Sequence, residues 1–242
     1  AKFYTDETAK NLYFNYVKSI VSRTNSITGK PYKDDPTIMS WQLCNEPRSF
    51  IKSNYDALLE WSRTTSKLIK AIDPNHLVST GSEGTVATDF NARICEQMHA
   101  DPNIDYLTVH IWPINWGWSS ADRLFAALPN VYLKAGTYID QNLRIAQNIV
   151  KPMVIEEFGY ARDQNFRAPG TSTNARDSFY QFVFTKLLES ITESGPLRGA
   201  NFWGWSGSGR ANSETWKVGD DFLCDPPHEP QGWYSVFDND ST

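Results

Sequence analysis

The sequence predicts an α/β fold in which short parallel strands alternate with helices, and three observations support this prediction. Short apolar runs alternate with longer segments of helical periodicity along most of the 242 residues. The apolar runs are continuous, which is typical of strands that are buried on both faces. Polar or aromatic side chains follow every run. We therefore expect a parallel sheet with helices packed outside it.

The first half of the chain supplies two long helices and two strands. Apolar residues recur at helical spacing over residues 6–23, and Thr5 is the expected N-cap. A turn with glycine and proline then leads into an apolar strand at 38–45. A second helix is predicted over 55–72, where an Asp-Pro pair stops it, and a strand follows at 76–80.

The second half continues the alternation and ends in an irregular tail. The predicted elements are helices at 92–99, 131–149 and 175–193 and strands at 106–112, 153–157 and 198–203. Gly195 is expected to close the last helix. The tail at 206–242 contains several prolines and is predicted to be loop. No linker divides the chain, so residues 1–242 are expected to form a single domain.

Composition excludes several classes of function. The net charge of −5 and the lack of a Lys/Arg cluster argue against nucleic-acid binding. No apolar run reaches the length of a membrane span. There is no glycine-rich phosphate loop and no Cys/His metal spacing, so neither a cofactor nor a metal is expected. The three cysteines leave at least one free thiol, and Cys44 is expected to be a small buried residue.

Two further groups of residues have both a structural and a functional interpretation. Nine tryptophans are many for this length, and those in loops are candidates for stacking on sugar rings: Trp116, Trp118, Trp205, Trp216 and Trp233. Asp220, Asp221 and Asp225 are compatible with a calcium site, but their spacing matches no known loop. A solvated acidic face is the favoured interpretation of these three.

Residues capable of chemistry lie at the C-terminal end of all five predicted strands. They are Asn45 and Glu46, Ser82 and Glu83, His110 and Trp112, Glu156 and Glu157, and Trp203 and Trp205. In parallel α/β barrels such strand ends meet on one face, where active sites are built. Burying carboxylates costs stability unless they are paired or hydrogen-bonded, so folding alone does not explain this pattern.

Glu46 and Glu157 are the candidate catalytic residues. Pro47 cannot donate to a sheet ladder, so the first strand is expected to end there with Glu46 projecting beyond it. The structural alternative is a capped strand with a surface glutamate. Hydrolysis of a glycosidic bond needs one protonated carboxyl group and one ionised carboxylate. A carboxyl separation of roughly 5–5.5 Å indicates a retaining mechanism, and a separation of ~8 Å or more an inverting one.

Two segments resemble the motifs of glycoside hydrolase family 5. Residues 41–48, Trp-Gln-Leu-Cys-Asn-Glu-Pro-Arg, are similar to its acid/base motif, and residues 154–159, Val-Ile-Glu-Glu-Phe-Gly, to its nucleophile motif. The resemblance covers nearly the whole chain. It implies a retaining (β/α)8 TIM barrel in which Glu46 is the general acid/base and Glu157 is the nucleophile.

The resemblance also implies roles for substrate-binding residues. Asn45 would hydrogen-bond the sugar 2-hydroxyl, and His110 would join the hydrogen-bond network of the site. Trp203 would form the platform under the sugar at the cleavage site.

Other segments, among them Gly-Ser-Glu-Gly at 81–84, look like those of endo-β-1,4-mannanases. Arg48 and Glu83 match positions that contact mannose units on the leaving-group side. Many relatives carry a tyrosine whose phenol hydrogen-bonds the nucleophile, and this chain has Trp112 there. The indole N–H could donate instead.

In the family the two glutamates follow strands 4 and 7. The chain is therefore expected to carry strands 4 to 8 only, as a catalytic domain that is truncated at the N-terminus and before the last helix. An open five-stranded sheet exposes two edges. A missing N-terminal segment or a second chain is expected to complete the barrel.

The function implied is a retaining, endo-acting hydrolase of β-1,4-mannosidic bonds in mannan, glucomannan or galactomannan. Its partner is a β-mannan polysaccharide, and its expected location is secreted, periplasmic or at the cell surface. A β-1,4-glucanase with the same machinery is the alternative within the class. A non-catalytic, carbohydrate-binding truncated barrel is the alternative from another class, although binding alone needs neither glutamate.

Overall fold

A computed structural model describes residues 2–240 of the chain. The helices are α1 Glu7–Val21, α2 Tyr55–Ile72, α3 Ala92–His99, α4 Leu128–Asn148 and α5 Asn174–Thr192. The strands are β1 Ser40–Gln42, β2 Leu77–Ser79, β3 Leu107–Ile111, β4 Met153–Phe158, β5 Leu197–Phe202, β6 Trp205–Gly207 and β7 Val236–Phe237. The predicted alternation of strands and helices is confirmed.

The helix starts depend on local hydrogen bonds that the periodicity does not reveal. The N-cap of α1 is Asp6, not Thr5, because the Asp6 carboxylate accepts the Ala9 N–H at 3.0 Å. Thr5 belongs to a preceding 3-10 turn, and its hydroxyl donates to the Lys2 carbonyl. The bounds of α2 and α3 agree with the predicted ones residue for residue.

The strands form three small sheets. β1 pairs with β2 in parallel, from Ser40 opposite Leu77 to Gln42 opposite Ser79. A parallel bridge from Ser79 to Tyr106 follows at the other edge of β2. β3, β4 and β5 form a second sheet in that order, and β6 pairs in parallel with β7. The β6–β7 pair lies in the tail that was predicted to be loop, because its strands are too short to show a periodicity.

Burial on both faces was predicted for all strands, and β1 contradicts it. Among the residues that the structure describes, β1 has only β2 as a neighbour; Gln42 is exposed and Trp41 is half-buried. Cys44, two residues beyond β1, is exposed, so its predicted burial is wrong. By contrast, every residue of β3 is buried.

The chain divides into two compact units. The first contains the residues up to Val109 together with Gln141–Val154, and the second contains His110–Asp140 together with the residues from Ile155 onward. The core of the first unit packs α2 side chains, among them Leu58, Trp61 and Ile69, with Val17 and Val21 of α1. Buried area of this kind, at roughly 25 cal/mol per Å², is the main source of stability.

The first unit also contains a buried polar cluster around His99. The His99 Nδ1 lies 2.8 Å from the Cys95 carbonyl, and Nε2 lies 2.9 Å from the Thr80 hydroxyl and 3.2 Å from that of Ser82. Burial lowers the pKa of His99 to about 4. The ring therefore stays neutral, donates from Nδ1 and accepts at Nε2, and its role is structural.

The core of the second unit combines aromatic packing with a buried ion network. Phe158 packs edge to face with Phe179 of α5, at 6.2 Å between ring centroids. Buried Arg162 and Arg176 both donate to Asp240, and this network ties the end of the described chain to α5. Within residues 2–240, no helix is long and apolar enough to cross a membrane.

Candidate active site

In the first unit, the backbone around Glu46 packs closely against the backbone at Gly81. The sheet pairing ends near Leu43, whose N–H still donates to the Ser79 carbonyl at 3.2 Å. Glu46 has a positive φ of 49°, and its N–H donates to the Gly81 carbonyl at 2.9 Å. Gly81 has a φ of +70°, and a Cβ there would lie 2.2 Å from the Cys44 carbonyl oxygen. Only glycine fits this position.

An arginine and a buried glutamate lie beside Glu46. The Arg48 guanidinium donates from Nε and Nη2 to the two carboxylate oxygens of Glu83, each at 2.5 Å. The Glu83 side chain is fully buried, and that of Arg48 is 38 % exposed. Nη2 also lies 3.7 Å from Oε2 of Glu46. The fork–fork pair thus compensates a buried charge and fixes a cation beside Glu46. Asn45 is exposed directly before Glu46.

In the second unit, two ring nitrogens hold Glu157 near the end of β4. The Trp112 Nε1–H donates to Glu157 Oε2 at 3.2 Å, and His110 Nδ1 lies 3.2 Å from the same oxygen. The His110 Nε2 lies 3.8 Å from Oε2 of Glu156. His110 is buried, and the Glu157 side chain is 13 % exposed. The Trp112 hydrogen bond and the adjacent His110 ring together position this oxygen of the carboxylate.

Aromatic packing orients the Trp112 indole. Its ring lies edge to face against Trp203, at 6.2 Å, and against Tyr234, at 4.9 Å. A Cβ on Gly159 would come within 2.6 Å of the Trp112 Cζ3 atom, so the glycine makes room for the indole. The Tyr180 hydroxyl donates to the Trp203 carbonyl at 3.2 Å. We name Trp112, Gly159, Trp203 and Tyr234 the aromatic cage.

Tyr234 of the cage was not predicted from the sequence. Burial raises its pKa well above the usual range of a phenol, and the protonated hydroxyl donates to Asn115 Oδ1 at 2.5 Å. Tyr234 lies in the tail, where the neighbouring aromatic Trp233 was the only signal. Asp225 fixes this segment, because its carboxylate accepts the N–H groups of Gly232 and Tyr234, both at 2.8 Å.

Asp225 also corrects the interpretation of the acidic residues in the tail. Its side chain is buried and accepts the Ser235 hydroxyl as well, at 2.6 Å. A solvated face is therefore the wrong description for Asp225. Asp221 is exposed and accepts the Arg210 N–H at 2.9 Å.

The structure groups the predicted site residues into two sets. The first unit brings together Asn45, Glu46, Arg48 and Glu83, and the second unit brings together His110, Trp112, Glu157 and Trp203. Catalytic carboxyl groups that follow strands of an α/β sheet, with aromatic rings beside them, are typical of barrel enzymes that hydrolyse glycosidic bonds. The two sets of residues are therefore those expected in the class of glycoside hydrolase barrels.

Comparison with known proteins gives the family. The model of the family described as GH family 5 beta-mannosidase-like matches residues 1–242, and the chain belongs to this family. Mannan endo-1,4-beta-mannosidase 1 of Arabidopsis thaliana is 34% identical over 223 residues, which are 84% of this chain and 51% of that protein. Its namesake from Oryza sativa subsp. japonica is 32% identical over 216 residues, 84% of this chain and 48% of that protein.

Solved structures agree with this assignment. The glycoside hydrolase family 5 mannosidase from Rhizomucor miehei is 34% identical with a TM-score of 0.86, over 99% of this chain and 58% of that one. The endo-beta-1,4-mannanase from Thermotoga petrophila is 27% identical with a TM-score of 0.71, over 99% and 49%. The fold is therefore that of a (β/α)8 TIM barrel, of which the chain covers part. The chain spans about half the length of the curated relatives it matches.

Proposed function

We propose that the chain is the catalytic part of a retaining endo-β-1,4-mannanase that acts on mannan, glucomannan or galactomannan. The observation that carries the proposal is the Glu157 carboxylate, whose Oε2 lies 3.2 Å from both His110 Nδ1 and the Nε1 of Trp112, a residue of the aromatic cage. A nucleophile must be ionised and correctly aimed, and the Trp112 N–H donor with the His110 ring beside it favours both conditions. The names of the curated relatives support mannan as the substrate.

The reaction proceeds by double displacement. The Glu157 carboxylate attacks the anomeric carbon while Glu46 donates its proton to the departing glycosidic oxygen, so the C–O bond to the leaving chain breaks as the glycosyl–enzyme ester forms. Glu46, now ionised, takes a proton from water, and the resulting hydroxide oxygen attacks the same carbon. The ester bond breaks, Glu157 is released as a carboxylate, and the configuration is retained.

The remaining site residues bind the sugar chain. Trp203 presents an indole face to the sugar at the cleavage site, and Asn45 hydrogen-bonds its 2-hydroxyl. The Arg48–Glu83 pair binds mannose units on the leaving-group side, because a guanidinium and a carboxylate together offer donors and acceptors to hydroxyl groups. A mutant of the Rhizomucor miehei mannosidase was solved in complex with mannosyl-fructose, which supports a mannose-containing ligand for this family.

We also propose that the chain carries strands 4 to 8 of the barrel. A preceding segment or a second polypeptide then supplies strands 1 to 3 and pairs with the exposed side of β1. Residues 1–242 expressed alone are expected to show neither a cooperative thermal transition nor mannanase activity. Both would be present if the proposal about the strands is wrong. Because mannan is a polymer too large to enter cells, the proposed location is secreted, periplasmic or at the cell surface.

Covalent trapping tests the proposed mechanism on the full-length protein. A 2-deoxy-2-fluoro-mannoside with an activated leaving group is expected to label Glu157, as read by mass spectrometry of the peptide that contains residues 153–158. Glu157→Gln is the control and should stay unlabelled. If Glu157 is not labelled and no reducing sugar is released from mannan, the protein is a non-catalytic binding protein. If reducing sugar is released faster from carboxymethyl cellulose than from mannan, the protein is a glucanase.

A further inference from the structure

The second unit contains a groove that the proposed mechanism does not use. Its volume is about 880 Å³, and it lies between the segment 121–126, which precedes α4, and the N-terminal part of α5. The side chains that matter are Asp122, Arg123, Phe125, Gln164, Asp177 and Gln181. None of the proposed catalytic or substrate-binding residues lines it.

The walls of the groove are fixed by hydrogen bonds. The buried Tyr160 hydroxyl donates to the Leu124 carbonyl at 2.8 Å and to the Ser119 hydroxyl at 2.6 Å, which anchors one wall. The Asp163 carboxylate accepts the N–H groups of Ala175 at 2.7 Å and Asn174 at 3.1 Å, which fixes the loop after β4 to the start of α5. A groove whose walls are already fixed binds a ligand with a lower ordering cost.

The carboxylates of the groove are engaged, but several other polar groups are not. Asp122 accepts the Ser120 hydroxyl at 2.6 Å, and Asp177 accepts the Thr173 hydroxyl at 2.6 Å. Among the described residues, the side chains of Arg123, Gln164 and Gln181 form no hydrogen bond with another residue, and all three are exposed. One guanidinium and two amides are thus available to a ligand.

The backbone carries Gln164 into the groove in an unusual conformation. Gln164 has a φ of 55°, and Asn165 beside it has a φ of 58°. Neither is glycine, and such residues are found in functional sites, where the surroundings hold them. Here the Trp233 Nε1–H donates to Asn165 Oδ1 at 2.9 Å and holds the turn.

An aromatic ring completes the groove. Phe125 is 64 % exposed, although burial of its ring would stabilise the fold. An exposed ring next to unengaged amides matches a sugar, whose C–H face stacks on the ring and whose hydroxyls bond the amides.

The charges of the groove disfavour an anionic ligand. Three carboxylates, Asp122, Asp163 and Asp177, line the groove with a single guanidinium, that of Arg123, so anionic ligands are disfavoured.

We propose that this groove is a second binding site for a segment of β-mannan, distinct from the residues proposed to cleave it. That the polymer is mannan rests on the proposed function. That the ligand is a neutral polysaccharide rests on the side chains of the groove. Loss of the site is expected to weaken binding and turnover of polymeric mannan and to leave turnover of short oligosaccharides unchanged.

The test uses affinity electrophoresis of the full-length protein through gels that contain galactomannan. All proteins carry Glu157→Gln, so the polymer stays intact. Phe125→Ala is expected to weaken binding about tenfold, the size of one aromatic contact, and the double variant Gln164→Ala/Gln181→Ala about tenfold, the size of one or two hydrogen bonds. Leu188→Ala is the matched control, because Leu188 is 63 % exposed on α5 outside the groove. Mannotetraose hydrolysis is measured in parallel with Glu157 intact.

The outcomes separate the two proposals. The site is supported if galactomannan retards Phe125→Ala less than Leu188→Ala while the turnover of mannotetraose stays unchanged in both. If Phe125→Ala weakens the retardation but the protein with Glu157 intact hydrolyses no mannan, the binding site is supported and the proposed function is overturned. Equal retardation of Phe125→Ala and Leu188→Ala overturns the site, and so does a preference for the anionic polymers carboxymethyl cellulose or polygalacturonate. Circular dichroism confirms that each variant is folded.

Discussion

The indole Nε1 of Trp112 donates a hydrogen bond to Oε2 of Glu157 at 3.2 Å. The sequence indicated this donor only as a substitute for a phenol that many relatives carry. The structure shows that the indole reaches the carboxylate because Gly159 leaves space for its six-membered ring. The donor to the proposed nucleophile therefore depends on packing as well as on residue type.

Trp112→Phe removes this donor and keeps most of the ring. A hydrogen bond to a charged group contributes about 1.5–3 kcal/mol, so kcat on mannotetraose is expected to fall roughly 10- to 100-fold with little change in KM. Trp112→Tyr restores a donor and is expected to recover part of the rate. Equal rates for the phenylalanine and tyrosine variants would show that the hydrogen bond has no catalytic role.

Glu46→Gln is expected to separate the acid step from the nucleophilic step. General acid catalysis contributes about 10²–10⁴-fold, so hydrolysis of mannotetraose should fall by that factor. An aryl mannoside with an activated leaving group needs no proton and should lose far less in its glycosylation step, as read by a burst of the released phenol. If both substrates lost activity equally in that step, Glu46 would not be the acid.

The Arg48–Glu83 pair is expected to affect stability as well as binding. Arg48→Met leaves the fully buried Glu83 carboxylate without its bidentate partner. Because Arg48 is partly exposed, the expected loss is at the low end for a buried pair, about 2–3 kcal/mol of unfolding free energy. The double variant Arg48→Met/Glu83→Met should be less destabilised than the single one. Additive losses in the double-mutant cycle, measured by urea unfolding, would contradict the coupling.

Two glycines give a matched pair of substitutions. Gly159→Ala places a Cβ 2.6 Å from Trp112 Cζ3 and is expected to lower both stability and kcat, because the indole must shift. Gly136→Ala lies inside α4, where the nearest neighbouring atom would be 3.7 Å away, and should stabilise the protein by about 0.5–1 kcal/mol. Thermal unfolding and kcat on mannotetraose measure both. An unchanged kcat in Gly159→Ala would show that the cage tolerates movement.

The buried His99 is expected to make the protein less stable at acidic pH. Its pKa is lowered from the ordinary 6.5 to about 4, so the unfolded chain binds a proton that the folded chain excludes. The free energy of unfolding therefore has its full value above pH 6.5, and it falls by on the order of 3 kcal/mol as the pH drops toward 4. His99→Gln removes the titration and should flatten the slope of unfolding free energy over that window. Parallel slopes for the two proteins would exclude His99 as the source.

Hydrophobic periodicity was sufficient to predict the helices and the order of the elements. It predicted α2 and α3 to the residue, because an Asp-Pro stop and a regular apolar stripe are local signals. It overestimated the length and burial of β1, because strand pairing and burial depend on neighbours that are distant in sequence. The exposure of Cys44 has the same cause.

The site residues were predicted by type, but their pairing was not. Arg48 and Glu83 were each expected to contact mannose, and the sequence did not indicate that they form an ion pair with each other across 35 positions. Tyr234 was missed, and Asp225 was assigned to a solvated face, because their hydrogen bonds fold an irregular tail that has no periodicity. Sequence motifs indicate which residues could carry the chemistry, whereas the residues that position them are set by contacts between distant parts of the chain.

The Asp225 anchor has a consequence for how the tail responds to cutting. Before residue 208 the chain is held by the pairing of β6 with β7, and after it the carboxylate of Asp225 holds Tyr234 in the aromatic cage. Between these two fixed points lies an exposed turn, in which Val218 is 94 % exposed and the exposed Lys217 is hydrogen-bonded only to nearby Asp220. A single tryptic cut after Lys217 should leave the cage assembled, and the same bond is a permissive place to insert a reporter peptide.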